Sequence, residues 1–169
     1  MKKLAMVSVL VFGLLNPGLS EKQAVPAAMT HADMIAALAE VDPSVARTIG
    51  AQPFTFPKAE NRPATRAEII ALLDQMIENY KPAFRATPRG IRVEKGIIDE
   101  YNADSQTREQ LARLVGWGFV GPVAPLVTNR SGTLTNEEFG DALGLALAQV
   151  MFLGHQPDPR WTPSLSTGE

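Results

Sequence analysis

The 169-residue chain contains no cysteine and only two histidines, His31 and His155. Without thiols it forms no disulfide, so its stability has to come from a packed core. The 45% of hydrophobic residues is enough to build one. Two histidines also leave too few of the usual ligands for a zinc site. We therefore expect a fold with no metal and no cofactor.

Catalytic motifs are missing as well. Neither Gly-x-Ser-x-Gly nor His-Glu-x-x-His occurs, and neither histidine has a serine or an acid at a recognisable catalytic spacing. Asp99, Glu100 and Asp104 form an acidic cluster, but acids ahead of a helix commonly serve capping and solvation. The sequence predicts no catalytic residues and a protein that is not an enzyme.

The N-terminus has the pattern of a secretory signal peptide. Lys2 and Lys3 precede an apolar run over residues 4–15, which ends at Asn16-Pro17-Gly18, and Ser20 offers a small residue for cleavage. An uncleaved anchor is the alternative, against which the helix-breaking Asn-Pro-Gly argues. A lipoprotein is excluded because no cysteine lies near the cleavage point. We expect export to the periplasm, cell wall or cell surface.

Export would leave an acidic domain. Cleavage removes Lys2 and Lys3 from a total of 16 basic residues, against 18 acidic ones, so the net charge becomes about −4. A nucleic-acid binder needs a concentrated basic face, which this balance does not suggest. After the signal peptide, no stretch is long and apolar enough to be predicted as a membrane span.

Hydrophobic periodicity and capping residues predict a mainly α fold with long Pro/Gly-containing loops. Thr30 is expected to cap a first helix over residues 31–40, and Asp42-Pro43 to start a second one that ends at Gly50. Thr65 with Glu68, and Thr135 with Glu138, form capping boxes ahead of two amphipathic helices, which end at Pro82 and Gly154. A further helix runs from Asp104 or Ser105 to Trp117. Ile91–Val93 is either a short strand or part of an irregular connector.

The two capping-box helices align with an offset of 70 residues. Each is preceded by a loop, and that loop is preceded by a shorter helix that ends at Gly50 or at Gly118. Coincidence is the alternative, because capping boxes are common. The predicted organisation is a signal peptide (1–20), a polar segment (21–29), unit 1 (30–81), a connector (82–103), unit 2 (104–154) and a disordered tail (155–169).

This pattern resembles the S-layer homology (SLH) domain family. Modules of that family have a short helix ending in glycine, a loop, and a helix that opens with Thr-Arg-Ala-Glu. Residues 65–68 carry this tetrapeptide intact, whereas residues 134–139 keep the threonine, the last glutamate and the following aromatic without the arginine. Two degenerate units are visible where three are usual.

The resemblance implies non-covalent binding of cell-wall or peptidoglycan-linked polysaccharide. Arg66, with Thr65 and Glu68, is then expected at the glycan site, since a guanidinium beside free helix N–H groups suits an anionic sugar substituent. The alternative for Arg66 is an exposed first-turn residue paired with Glu68 or Asp74. Trp117 is a candidate sugar-stacking side chain, or else a core residue.

Two other functions stay open. One is a periplasmic helical scaffold that binds another envelope protein or a second copy of itself, without glycan. The other is a degenerate EF-hand, in which Gly132 and Glu138 take positions 6 and 12; Val127 then stands where an aspartate is needed.

Overall fold

The computed structural model describes residues 27–87, 104–128 and 132–155, and within them the protein is mainly helical. These ranges contain isolated β-bridges but no strand. The predicted mainly α fold is confirmed. The elements are α1 (His31–Ile49), α2 (Arg66–Tyr80), a 3₁₀ helix (Lys81–Ala83), α3 (Ser105–Gly116), α4 (Pro125–Thr128) and α5 (Asn136–Gly154).

Several predictions fall outside the described residues. They concern the signal peptide at 1–20, the candidate strand Ile91–Val93, Asp99 and Glu100 of the acidic cluster, and the tail from residue 156.

Both predicted capping boxes are confirmed. The Thr65 hydroxyl accepts the Glu68 N–H at 3.2 Å, and the Glu68 carboxylate accepts the Thr65 N–H at 2.9 Å. Thr135 and Glu138 repeat the exchange at 3.2 and 2.9 Å. Each box satisfies N–H groups that the first helical turn leaves without partners, which fixes where α2 and α5 begin.

The core forms where the amphipathic faces of the long helices meet. α2 packs against α3, and α5 packs against α1 and α4. The large apolar residues of α2, which the sequence predicts to be amphipathic, are buried. The fully buried set in α2 consists of Ile69, Ile70, Leu73, Met76, Ile77 and Tyr80.

α1 corrects the prediction of two separate helices, because it continues through Pro43 without interruption. Asp42 is therefore not an N-cap. Its buried carboxylate accepts the Phe54 N–H at 3.0 Å and the phenol hydrogen of Tyr80. An interior proline costs about 3 kcal/mol. Burial of Leu38 and Val45 on one continuous face offsets that cost.

The segment between α3 and α5 also differs from the predicted loop. It contains the short helix α4, whose Leu126 and Val127 are buried. Gly118 turns the chain after α3 with a φ of 78°, which places Phe119 in the core. Four residues are too few to show a helical period in the sequence, so α4 gave no signal.

α1 and α5 approach each other closely at their C-terminal ends. A Cβ on Gly154 would lie 2.4 Å from Cγ2 and 2.6 Å from Cβ of Ile49. Only glycine fits this contact in its present geometry. Among the helices of the described ranges, none combines the length and hydropathy that a membrane crossing requires.

Candidate functional site: a helix-start junction and a tryptophan patch

Three helices begin at one place in the molecule. Met29 lies between the segments that lead into α2 and α5: its N–H donates to the Leu134 carbonyl at 2.8 Å, and its carbonyl accepts the Ala64 N–H at 2.9 Å. Beside it, the His31 N–H donates to the Arg62 carbonyl at 2.8 Å. We call residues 28–31, 62–66 and 132–136 the helix-start junction.

The three segments of the junction share one sequence pattern. In each, a buried apolar residue precedes a threonine N-cap, and an acid follows three positions after the threonine. The 70-residue repeat predicted from the sequence includes only two of these segments. The three sets are Met29-Thr30 with Asp33, Ala64-Thr65 with Glu68, and Leu134-Thr135 with Glu138.

The spacing of the threonines in the sequence also relates the third helix start, at Thr30, to the other two. Thr30 precedes Thr65 by 35 residues, half of the 70-residue offset between Thr65 and Thr135. Its side chain accepts the Asp33 N–H at 3.1 Å, as the other two threonines accept theirs. The shorter aspartate replaces glutamate here, which hides the capping-box pattern.

Arg66 lies inside the protein, with only 4% of its surface exposed. Its backbone N–H donates to the Gly132 carbonyl at 2.8 Å. Its guanidinium donates from Nε to the Leu126 carbonyl at 2.8 Å and from Nη2 to the Val127 carbonyl at 2.7 Å. Arg66 thus ties α2 to the carbonyl end of α4.

This placement corrects both expectations for Arg66, because each required an exposed side chain. A sugar substituent cannot reach a guanidinium buried among backbone carbonyls unless the fold opens. The predicted ion-pair partners are also engaged elsewhere. Glu68 pairs with Arg62 at 2.6 Å, and Asp74 pairs with Arg113 at 2.7 Å.

Thr65 and Glu68 lie at the surface end of the junction, where they cap α2. The Arg62 guanidinium donates to both carboxylate oxygens of Glu68, at 2.9 and 2.6 Å. These bonds, with the bonds from Thr65, lower the pKa of Glu68 to about 2. Arg62 also pairs with Glu60, and both carboxylates raise its pKa.

Trp117 lies far from Thr65 in the chain, at the C-terminal end of α3, and is partly buried. Its ring meets Phe119 edge-on at 6.3 Å, and Nζ of Lys81 stands 4.8 Å from the ring centroid. The Lys81 ammonium also contacts the Glu78 carboxylate at 3.1 Å. Glu78 in turn approaches Arg113 at 3.8 Å. We call Glu78, Lys81, Arg113 and Trp117 the tryptophan patch.

The charged members of the patch are accessible. The side chains of Lys81, Glu78 and Arg113 are 48, 40 and 36% exposed. Arg113 is held by a two-pronged pair with Asp74, at 2.8 and 2.7 Å, which raises its pKa. The patch therefore places an aromatic ring, donors and an acceptor next to one another at the surface.

Both histidines lie at a helix end. His31 Nδ1 accepts the Glu60 N–H at 3.2 Å, and His155 follows the last turn of α5. The described ranges hold no cluster of three His, Cys, Asp or Glu side chains that suits a metal ion.

Asp104 and Glu138 both have structural roles as helix-capping residues. Asp104 caps α3 by accepting the Thr107 N–H at 2.9 Å, and this bond lowers its pKa. In the EF-hand interpretation, Val127 is buried in α4 and Glu138 serves its capping box, so neither is presented as a calcium ligand.

No family model matches the chain, and neither a curated protein nor a solved structure matches it.

Proposed function

We propose that the chain is a non-catalytic cell-envelope protein that binds wall or peptidoglycan-linked polysaccharide, with the sugar stacked on Trp117. The observation that carries this proposal is the tryptophan patch. Carbohydrate rings present apolar C–H faces to aromatic side chains, while their hydroxyls bond to charged groups at the rim. Trp117 offers the aromatic side chain, and Lys81, Arg113 and Glu78 offer the charged groups.

Uncovering the Trp117 ring costs little free energy in this geometry. Lys81 covers the indole, but it is about half exposed and its partner Glu78 is a surface carboxylate. Surface ion pairs and exposed cation–π contacts are each worth about 1 kcal/mol or less. A sugar ring can therefore displace the lysine, whose ammonium then becomes a donor to a hydroxyl or an anionic substituent.

The junction supports the wider envelope role. Thr65 and Thr135 cap the two helix starts by which the predicted units resemble the SLH family, and Thr30 caps the upstream helix of unit 1. The signal-like N-terminus would deliver the protein to where wall polymers are found. In this proposal Arg66 holds the frame, and the tryptophan patch replaces it as the binding surface.

The test is co-sedimentation of the purified chain with isolated cell walls that retain their attached polymers. We expect wild type to pellet with the walls and Trp117→Ala to bind at least tenfold more weakly. Phe56→Ala is the matched control, because Phe56 is also a partly buried aromatic but lies in the loop between α1 and α2. Circular dichroism of each variant checks that the helices persist.

Two results would count against the proposal. Failure of the wild-type chain to pellet with any wall preparation would remove polysaccharide binding. Equal binding by wild type and Trp117→Ala, with weaker binding by Phe56→Ala, would move the site away from the tryptophan patch.

A further inference from the structure

The outward face of α5 exposes large apolar side chains. Leu145 is 45% exposed and Phe152 is 72% exposed. Between them lies the exposed Ala148, and beside it Gly144, where an added Cβ would meet nothing within 4 Å. Two large apolar groups with a shallow gap between them thus face away from the core on a helix that is otherwise well packed.

The exposed positions follow a coiled-coil seam. Asp141, Leu145, Ala148 and Phe152 are exposed on α5, His155 is exposed at its C-cap, and the spacing of the five residues alternates between four and three. This is the a/d spacing with which one helix packs against another. The three inner positions are apolar, an acid stands at the N-terminal end, and an imidazole stands at the C-terminal end.

We infer that this seam pairs with the same seam of a second copy of the chain, in antiparallel orientation about a two-fold axis at Ala148. The seam is complementary to a copy of itself that runs in the opposite direction. Leu145 then faces Phe152 of the partner subunit, and Asp141 faces His155 of the partner subunit. An isologous two-fold contact requires this self-complementarity.

Charge selects the orientation. In the antiparallel pair an imidazole N–H can donate to the carboxylate of the facing Asp141 at both ends of the seam. A parallel, in-register pair would instead place Asp141 against its own copy, with Glu137 one turn earlier adding to the repulsion. It would also place the two Phe152 rings at the same level. Only the antiparallel pair matches both the charges and the side-chain sizes.

The contact is modest in size. One helix from each copy contributes it, so it is smaller than the roughly 1,600 Å² of a standard interface. We therefore expect a dimer whose population rises with protein concentration. Sedimentation equilibrium over a wide concentration range measures it directly.

Substitutions on the seam test the surface. Leu145→Glu and Phe152→Glu should each weaken dimerisation at least tenfold, because each buries a carboxylate against an apolar partner. Ala36→Glu is the matched control, since it adds the same charge to an exposed position of α1. A wild-type chain that stays monomeric at the highest concentration, or a dimer unaffected by both seam variants, would overturn the inference.

Cysteine cross-linking tests the orientation, and the absence of native cysteine makes each result unambiguous. Ala148→Cys should form a disulfide with its own copy. Leu145→Cys and Phe152→Cys should cross-link only when the two variants are mixed. In the antiparallel pair each lies about 9 to 12 Å along the axis from its own copy, too far for a disulfide. Self-cross-linking of both variants, without the mixed product, would contradict the antiparallel pair.

Discussion

Tyr80 on α2 donates its phenol hydrogen to the carboxylate of Asp42 on α1, and both side chains are buried. The same carboxylate accepts the Phe54 N–H from the loop that joins the two helices. Burial, together with the bond to Asp42, raises the pKa of Tyr80. One carboxylate thus connects two helices and their connecting loop.

Replacement of Tyr80 by phenylalanine should destabilise the protein by about 2 kcal/mol, because it leaves a buried acceptor short of a donor. Urea unfolding measures the change. Asp42→Asn in both backgrounds completes a double-mutant cycle, which should show a coupling energy of about 1 kcal/mol or more. A Tyr80→Phe variant as stable as wild type would mean that the bond contributes nothing to folding.

Arg66→Met should lower the free energy of unfolding by about 3 kcal/mol, since it strips the donors from two buried carbonyls, those of Leu126 and Val127. Arg66→Lys should recover only part of the loss, because an ammonium cannot reproduce the guanidinium fork.

Arg108→Met provides the control for Arg66, since Arg108 is exposed on α3. It should change stability by less than about 0.5 kcal/mol. If Arg66→Met unfolds at the same urea concentration as Arg108→Met, the structural role assigned to Arg66 is wrong.

Glu68 should make the stability of the protein depend on pH. Its pKa is lowered from 4.5 to about 2 in the folded state, so the unfolded state binds more protons between these values. The carboxylate therefore stabilises the fold above pH 4.5, and this contribution is lost as the pH falls towards 2. Because Glu68 is about one-third exposed, screening reduces its contribution to about 1 kcal/mol.

Glu68→Gln should accordingly be about 1 kcal/mol less stable than wild type at pH 7. The difference should shrink by about half at pH 3. Urea unfolding at pH 7, 5 and 3 follows it, and Glu137→Gln, at an exposed first-turn position of α5, is the control. A difference that stays constant from pH 7 to pH 3 would contradict the lowered pKa.

Two glycines of α5 should respond to alanine in opposite directions. Gly154→Ala should destabilise the protein by about 2 kcal/mol, because the new methyl group collides with the β-branched Ile49. Gly140→Ala should stabilise it by about 1 kcal/mol, since that exposed position is open and glycine is a poor helix former. Thermal unfolding of the two variants side by side gives the comparison, and a stabilising Gly154→Ala would show that the helix ends separate easily.

Local signals predicted the helices well. The capping boxes at Thr65 and Thr135, the αL glycine at Gly50 and the cap at Asp104 all depend on residues within one turn of the helix end. Such signals can be read directly because their partners are three or four residues away. The apolar faces followed from periodicity for the same reason.

Long-range partners explain what the sequence did not reveal. Asp42-Pro43 looks like a helix start, but the donors to Asp42 come from Phe54 and Tyr80, up to 38 residues away. Arg66 looks like an exposed first-turn residue until α4 is folded over it, 60 residues later in the chain. Neither contact produces a periodic pattern in the sequence.

The hydrogen bonds of Met29 join segments that lie far apart in the chain, so they raise the contact order of the fold. Met29 pairs with Leu134 across more than a hundred residues, and with Ala64 on its other side. The two predicted units thus meet through a segment that precedes both. Because loop-closure entropy opposes such distant pairing, we expect folding to be slow for a helical protein. In an exported chain, α1 would lack part of its packing until α5 had also crossed the membrane.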